Sequence, residues 1–311
     1  KGKNVGKLNE TTAFEQAVKE ATSKWKSKQD QNYQTTIPNP EDLPKHILPM
    51  LAHDYHKRGH NIIFPAYIQR KLNGVRCLAI KKNGAIRFQS RGGKEYTLDH
   101  LIPILYDSME YNDMWDGEIF HSGWSLQKII SAVKKENKDT LHLRYYVYDR
   151  AILNTSYTTR LEMLTNMVPN NKNLVLNESI PISSVDEIKP YHDQFVAEGY
   201  EGAIIRNFEG QYIFDHRSKD LQKYKEFIDE EFIIIDGEQG QGLEEGCVVF
   251  ICEQEQGKPF RVRPKGTREL RREWFKDLKS IIGKKLTVRY QERSDDNIPL
   301  IPVGIVIRDY E

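Results

Sequence analysis

Residues 62–80 hold two short runs of β-type residues separated by an Asn-Gly pair. Ile62, Ile63, Phe64, Tyr67 and Ile68 precede it, and Val75, Cys77, Leu78, Ala79 and Ile80 follow it. Both residues of such a pair tolerate positive φ, so Asn73-Gly74 between strands predicts a tight β-hairpin. The pair lies within Gln69-Arg70-Lys71-Leu72-Asn73-Gly74-Val75-Arg76, which sets one lysine at the end of the first strand. Lys71 is thereby a candidate nucleophile, weighed against a plain surface lysine beside a turn.

Around that stretch the chain has two textures. From residue 64 to about 227, short strands alternate with helical segments. Ile86-Arg87-Phe88-Gln89-Ser90-Arg91 and Met114-Trp115-Asp116-Gly117-Glu118-Ile119-Phe120 read as strands, as do 141–149 and 202–206, while 125–136, 160–168 and 185–198 read as helices. This mixture indicates an α+β domain. After residue 225, apolar runs at 232–235, 247–251, 260–263, 286–290 and 305–308 predict five strands, with a helix over 267–282 between the third and fourth. Five strands with a helix in that place match an OB-fold barrel. The acidic run Asp229-Glu230-Glu231 reads as the linker, which divides the chain into an extension at 1–47, a first domain at 48–228 and a barrel at 229–311.

Within the extension, Phe14, Ala17, Val18, Ala21 and Trp25 recur at helical spacing, and Thr12 with Glu15 forms a capping-box signal. The proline-rich stretch 35–44 reads as a linker into the main domain. His53, His56 and His60 stand at i, i+3 and i+7, near one face if that segment is helical. No cysteine or matching acid accompanies them, which favours solvated histidines over a metal site.

At 311 residues, with 29% charged and 38% hydrophobic residues and no long apolar run, the chain suits two soluble domains without a membrane span or signal peptide. A net charge of +1 argues against a uniformly basic nucleic-acid coat and leaves room for a local basic patch. Cys77, Cys247 and Cys252 have neither C-x-x-C spacing nor an even count, so a reducing intracellular compartment is expected. The chain begins Lys1-Gly2-Lys3, which leaves room for an upstream segment.

Five short signals stand in one order: Lys71-x-Asn73-Gly74-x-Arg76, Ser90-Arg91-Gly92, Asp116-Gly117-Glu118, Glu201-Gly202-x-x-x-Arg206 and Lys223-x-Lys225. Each alone is weak. Together, followed by an OB-like tail, they resemble the covalent nucleotidyltransferase superfamily, and most closely the compact ATP-dependent DNA ligases of phages and large DNA viruses. The resemblance covers residue 48 to the C-terminus. It implies an adenylation domain of packed antiparallel sheets and helices followed by a β-barrel OB-fold domain. The implied activity is sealing of 5′-phosphate/3′-hydroxyl nicks in duplex DNA, with ATP and Mg2+ or Mn2+, by an intracellular monomer.

By the same resemblance, Lys71 attacks the α-phosphate of ATP to give a lysyl-AMP phosphoramidate. An ordinary lysine, with a pKa of ~10.4, is only about one-thousandth neutral near pH 7.5. A positive field from Lys223, Lys225 and Arg76 would favour the free amine and offset phosphoryl charge. Gln69 is implied to read the adenine edge, Arg76 and Arg91 to hold ribose and phosphate groups, and Glu118 to contact the ribose hydroxyl. Glu201 is implied to help bind the divalent metal, Lys223 and Lys225 to contact the α-phosphate, and Tyr148 to stack on adenine. A core strand tyrosine is the alternative for Tyr148.

The chain departs from the family pattern twice. Asn73 stands where the family usually has aspartate, so an acceptor oxygen is kept and a negative charge is lost. Of the last motif, two basic residues flanking an aspartate, Arg308 and Asp309 are the matches. Adenylation is therefore the step at which the departures concentrate. Arg261, Arg263, Lys265, Arg268, Arg271 and Arg272 form a basic cluster suited to DNA phosphates, diluted by Glu269, Glu273 and Asp277. An RNA ligase, an mRNA-capping guanylyltransferase and a non-catalytic nucleic-acid-binding module are the alternative readings.

Overall fold

A computed structural model describes residues 2, 4, 6, 9–29, 47–254 and 258–308. The expected linker at 35–44 and Asp309 lie outside the described residues. The chain divides into two units, Lys1–Tyr224 and Lys225–Glu311.

The first unit opens with α1 (Ala13–Gln29), which carries its sequence-predicted stripe in the open: Phe14 is 79% and Trp25 55% exposed. Then come β1 (Leu51–Asp54), the one-turn α2 (Tyr55–Arg58), β2 (Ala66–Lys71), β3 (Val75–Lys82), β4 (Ala85–Ser90) and β5 (Glu95–Tyr96). They are followed by α3 (Ile102–Ser108), β6 (Met114–Phe120), α4 (Leu126–Lys134), β7 (Arg144–Arg150) and α5 (Tyr157–Met167). The unit closes with β8 (Leu174–Leu176), β9 (Ser179–Ile182), α6 (Ile188–Ala197), β10 (Gly202–Asn207) and β11 (Arg217–Tyr224). Ser125 and Ser156 start α4 and α5 by accepting hydrogen bonds from the N–H groups of Lys128 and Thr159, which satisfies donors that the first helical turn leaves open.

These strands form two sheets, one in the order β1-β11-β10-β2-β9 and one in the order β5-β4-β3-β6-β7-β8. The split overturns the expected hairpin at Asn73-Gly74, because β2 and β3 leave the pair into different sheets. Neither residue has a positive φ. Gly74 is required for space: a Cβ there would overlap the Ile119 carbonyl oxygen and lie 2.8 Å from Glu118 Cγ on β6. The hairpin rule operates ten residues later, where Asn83 (φ 52°) and Gly84 (φ 73°) turn β3 into β4.

Each sheet has its own core. Trp115, Ile119, Leu105, Ile129, Leu143 and Tyr145 pack under the six-stranded sheet, and Ile68, Ile182, Phe195 and Ile205 pack under the five-stranded one. His53 lies in β1, His56 in α2 and His60 in a following 3-10 turn, so the three share no helical face.

The second unit is a closed barrel in the order β12-β13-β14-β16-β15. Its elements are β12 (Ile228–Gln239), β13 (Val248–Cys252), β14 (Phe260–Pro264), α7 (Arg268–Lys276), α8 (Leu278–Ile281), β15 (Lys285–Tyr290) and β16 (Val303–Arg308). Alternate residues turn inward, as in Phe260, Val262 and Pro264, and fill a core with Phe232, Phe250, Leu286 and Val288. Asp229-Glu230-Glu231 is not a linker but the start of β12. Its acids meet partners on β15, just after it and on β16: Asp229 accepts from Arg289, Glu230 from Tyr290 and Arg293, and Glu231 lies 3.2 Å from Arg308.

Candidate nucleotide-binding site

Lys71 ends β2 directly opposite Gly202 on β10. The Glu201 N–H donates to the Lys71 carbonyl at 2.9 Å, and the Lys71 ammonium donates to the Glu201 carboxylate. Gly202 has φ +143°, and a Cβ would come 2.6 Å from the Tyr224 carbonyl, so glycine is needed where Glu201 turns towards the lysine. Lys223 lies on β11, opposite Ile204 on one side and Asp54 on the other. Burial first, and then the charge of Lys71, lower its pKa, and Arg91 contributes in the same sense from its exposed turn. Two amines thus share one positive field, with one carboxylate beside the first.

Glu118 and Asp116 project from one face of β6, since strand side chains alternate. Asp116 is buried and accepts from Arg76 Nε at 2.7 Å and Nη2 at 2.5 Å, and from the Tyr212 hydroxyl at 2.6 Å. Arg76 also donates to the Met50 carbonyl at 2.8 Å. Its guanidinium is therefore fixed by protein on one side, over the Tyr148 ring at 5.4 Å. Tyr148 sits at a bulge in β7: Asp116 pairs with Asp149 and Gly117 with Val147, which leaves Tyr148 without a partner on β6. Bulges re-aim side chains in this way beside functional sites. The Tyr148 hydroxyl donates to the Gly117 carbonyl at 3.2 Å and approaches Glu118 Oε2 at 3.4 Å.

Burial raises the Glu118 pKa from 4.5 to about 7, against the opposing charges of Lys71 and Arg76. A carboxyl that binds its proton more tightly in the folded state lends stability below its unfolded pKa, and that contribution is lost as pH rises through the folded value. The unfolding free energy should therefore fall by on the order of 2 kcal/mol between about pH 4.5 and 7 through this group alone. Urea titrations of wild type and Glu118→Gln across that window check it: the variant should lack this part of the slope, and parallel curves would contradict the assignment.

Beneath these groups lies a network that the short motifs mark only in part. Asp149 is fully buried and accepts from Arg160 Nε at 2.7 Å and Arg206 Nη1 at 2.6 Å. Because Asp149 stands directly across from Asp116, two buried like charges face each other, and three guanidinium groups offset them. The pair Asp149 on β7 and Arg206 on β10 joins the two sheets. Arg206 belongs to the Glu201-Gly202 motif, and Asp149 follows Tyr148, but Arg160 and Tyr212 carry no motif.

Gln69 is also in this network. Its amide donates to the Tyr157 hydroxyl at 3.0 Å and Ser179 Oγ at 2.9 Å, and its oxygen accepts from Arg206 at 2.7 Å. The Tyr157 hydroxyl donates to the Tyr148 carbonyl at 3.1 Å, which links Gln69 to the backbone of the bulge.

The structure therefore gathers Lys71, Glu201, Lys223, Arg76, Glu118 and Tyr148 within the first unit, with Arg91 exposed nearby and Gln69 buried behind. Lys225 begins the second unit and donates to Gln291 at 3.4 Å. Arg308 donates to Thr287 at 2.9 Å. Of the basic cluster, Arg261 pairs with Glu238, and Lys265 and Arg272 are exposed. Arg271 departs from the expected surface position: it is buried and paired with Glu244.

Cations around Lys71 suit a polyphosphate. The Glu201 oxygens are hard ligands of the kind Mg2+ or Mn2+ uses together with substrate phosphates. The donor set thus fits a magnesium–nucleotide complex.

A family model described as ATP dependent DNA ligase domain matches residues 49–225, and one described as DNA ligase OB-like domain matches residues 239–308. The DNA ligase of African swine fever virus (strain Badajoz 1971 Vero-adapted) is 34% identical over 341 residues, covering 99% of this chain and 78% of the relative. The DNA ligase of Enterobacteria phage T4 is 23% identical over 243 residues, or 60% of this chain and 50% of the relative. A solved structure of a Lig E DNA ligase superposes with a TM-score of 0.71 at 21% identity, covering 84% of this chain and 99% of that one. Another, described as Pmar-Lig_Pre, gives 0.77 at 21% identity, covering 88% and 70%. At that identity the two superpositions bear on the fold.

Proposed function

Because this chain belongs to the ATP-dependent DNA ligase family, we propose that Lys71 is the residue that carries AMP while the enzyme seals 5′-phosphate/3′-hydroxyl nicks in duplex DNA. The Lys71 Nζ lone pair attacks the α-phosphorus of ATP, the bond to the β-phosphate oxygen breaks, and pyrophosphate leaves. The amine must lose a proton for this. The 5′-phosphate oxygen at the nick then takes AMP from Lys71, giving a DNA-adenylate. The 3′-hydroxyl attacks that 5′-phosphate, closes the strand and releases AMP.

The observation that supports this assignment is the placement of Lys71 against Glu201 and in the field of Lys223. Glu201 would hold Mg2+ or Mn2+, which when bound offsets negative charge on the phosphates. Lys223 and Lys225 would contact the α-phosphate. Arg76, fixed by Asp116, and Arg91 would hold ribose and phosphate oxygens; Glu118 would accept from the ribose hydroxyl, and Tyr148 would stack on adenine. Gln69 would act on the adenine side through the Tyr157–Tyr148 linkage as well as by its own amide. Arg308 would orient pyrophosphate.

We assign residues 48–228 to adenylation and 229–311 to the OB fold, with 1–47 as an extension. Arg261, Arg263, Lys265, Arg268 and Arg272, backed by Arg271, would meet the phosphates of a nicked duplex bound by a monomer. Such substrates place the enzyme inside a cell. Among the described residues, no helix is long and apolar enough to cross a membrane.

Incubation with α-labelled ATP and magnesium should label the chain, and nicked DNA should discharge the label. Labelling by GTP in place of ATP, or discharge only to RNA ends, would favour a capping enzyme or an RNA ligase. DNA binding without label under any metal would favour a non-catalytic module. Asn73→Asp restores the family's carboxylate with little change of shape. It should leave the melting temperature nearly unchanged and raise the adenylation rate; no change, or a loss, would mean that the site is tuned around asparagine.

A further inference from the structure

Three of the barrel's arginines converge on one acid. Arg263 on β14 donates to Glu244 through Nη2 at 3.1 Å and Nε at 3.4 Å, and Arg268 Nε on α7 lies 3.8 Å from the same carboxylate. Arg271, one turn further along α7, donates to Glu244 from a buried position, and its Nε has no hydrogen-bond partner among the described residues. Glu244 ends a 3-10 turn, Gly242–Glu244, in the connection from β12 to β13. Hydrogen bonds from Arg271 and then Arg263 hold its carboxyl down at about 2, so it is ionised at any working pH.

Three guanidinium groups and one carboxylate leave a local charge of +2. The side chains of Arg263 and Arg268 are 61% and 47% exposed, whereas that of Arg271 is 3% exposed. Two arginines thus face solvent while the third anchors the anion that gathers them. Without the anion, adjacent guanidinium groups repel, and each exposed side chain must be ordered on binding at an entropic cost. With it, their forks are already drawn together for a charged oxygen ligand, which arginine binds in planar, paired geometry.

We propose that Glu244 is a positioning residue for DNA: it holds Arg263 and Arg268 ready to receive a backbone phosphodiester, with buried Arg271 as its fixed counter-charge. The proposal rests on the reading that the barrel's basic cluster meets duplex DNA. Its prediction runs against simple charge counting, by which removal of an acid from a basic surface tightens DNA binding.

The test is fluorescence anisotropy of the whole chain with a nicked duplex oligonucleotide, without divalent metal, between about 50 and 200 mM salt. Glu244→Gln should weaken binding at least about 5-fold and lower the slope of log K against log salt by about one phosphate contact. Combined with Arg263→Gln, it should add little to the loss that Arg263→Gln causes alone. Binding by Glu244→Gln as tight as or tighter than wild type, or a fully multiplicative double variant, would overturn the proposal. If Glu244→Gln melts the barrel, Glu244→Met/Arg271→Met removes the buried charge together with its partner and carries the same comparison. Unchanged binding by Arg263→Gln alone would overturn the underlying reading of the cluster. Weakened binding by Arg263→Gln with normal binding by Glu244→Gln would overturn only the role of Glu244.

Discussion

Lys71→Ala should form no lysyl-AMP and should reduce nick sealing from ATP by at least about 1,000-fold, because the substitution removes the nucleophile itself. Lys71→Arg should fail as completely, since a guanidinium keeps the charge and stays protonated at any working pH, which leaves no free lone pair to attack. Lys71 ends a strand in a partly exposed position, where its ammonium pairs with the Glu201 carboxylate. Loss of one such ion pair should therefore change stability by no more than about 1 kcal/mol. The two effects separate in one experiment: melting curves nearly superimposed with wild type, and no label on the protein. A nick that already carries a 5′-adenylate bypasses the lysine, so both variants should still close it. A variant that cannot be labelled but has also unfolded would say nothing specific about Lys71, so the melting curve belongs to the result.

The second large effect is on stability. Asp149→Asn should destabilise the first unit by about 3 kcal/mol, because the carboxylate is buried between Arg160 and Arg206 and its loss leaves two buried cations uncompensated. Relief of the repulsion from Asp116 across the strand pair recovers part of the loss, since like charges directly opposite each other are unfavourable. For a unit of this size the change corresponds to a drop of roughly 6–12 °C in melting temperature. Arg206 also orients the Gln69 amide, so adenylation should fall as well, even at temperatures where the variant is folded. Urea unfolding checks the first part. A change below about 1 kcal/mol would mean that water reaches these arginines and that the charges are not buried as described.

The same dipeptide shows what local sequence can and cannot reveal. Asn83-Gly84 obeys the hairpin rule, and Asn73-Gly74 does not, although both stand between β-type runs. Which sheet a strand joins is decided by packing across the fold, here by the closeness of Gly74 to β6, and no window of a few residues contains that information. The barrel was legible because its strands alternate inward and outward with period two, as in Phe260 to Pro264. The acidic run 229–231 resembled a linker for a physical reason: its charges face out and are paired by residues about 60 positions away, such as Arg289.

In the site, the family resemblance carried by the five short motifs singled out Lys71, Glu201, Lys223 and Glu118, and the fold places them in one unit. The orientation of Gln69 was hidden, since its motif position says nothing of the amide's engagement with Arg206 and Tyr157. Tyr212 gave no signal at all. Its hydroxyl matters only because the fold brings it to Asp116, 96 positions away.

In the proposed reaction, AMP passes through Lys71 on its way to a nicked 5′-phosphate. This transfer is tested most directly by mapping the adduct: the whole chain is incubated with ATP and magnesium, digested, and the AMP-bearing peptide sequenced by mass spectrometry. Half of the sample is first chased with nicked duplex. AMP is expected on Lys71 before the chase, and sealed or adenylated DNA with unmodified Lys71 after it. AMP on another residue, or an adduct on Lys71 that nicked DNA does not discharge, would contradict it.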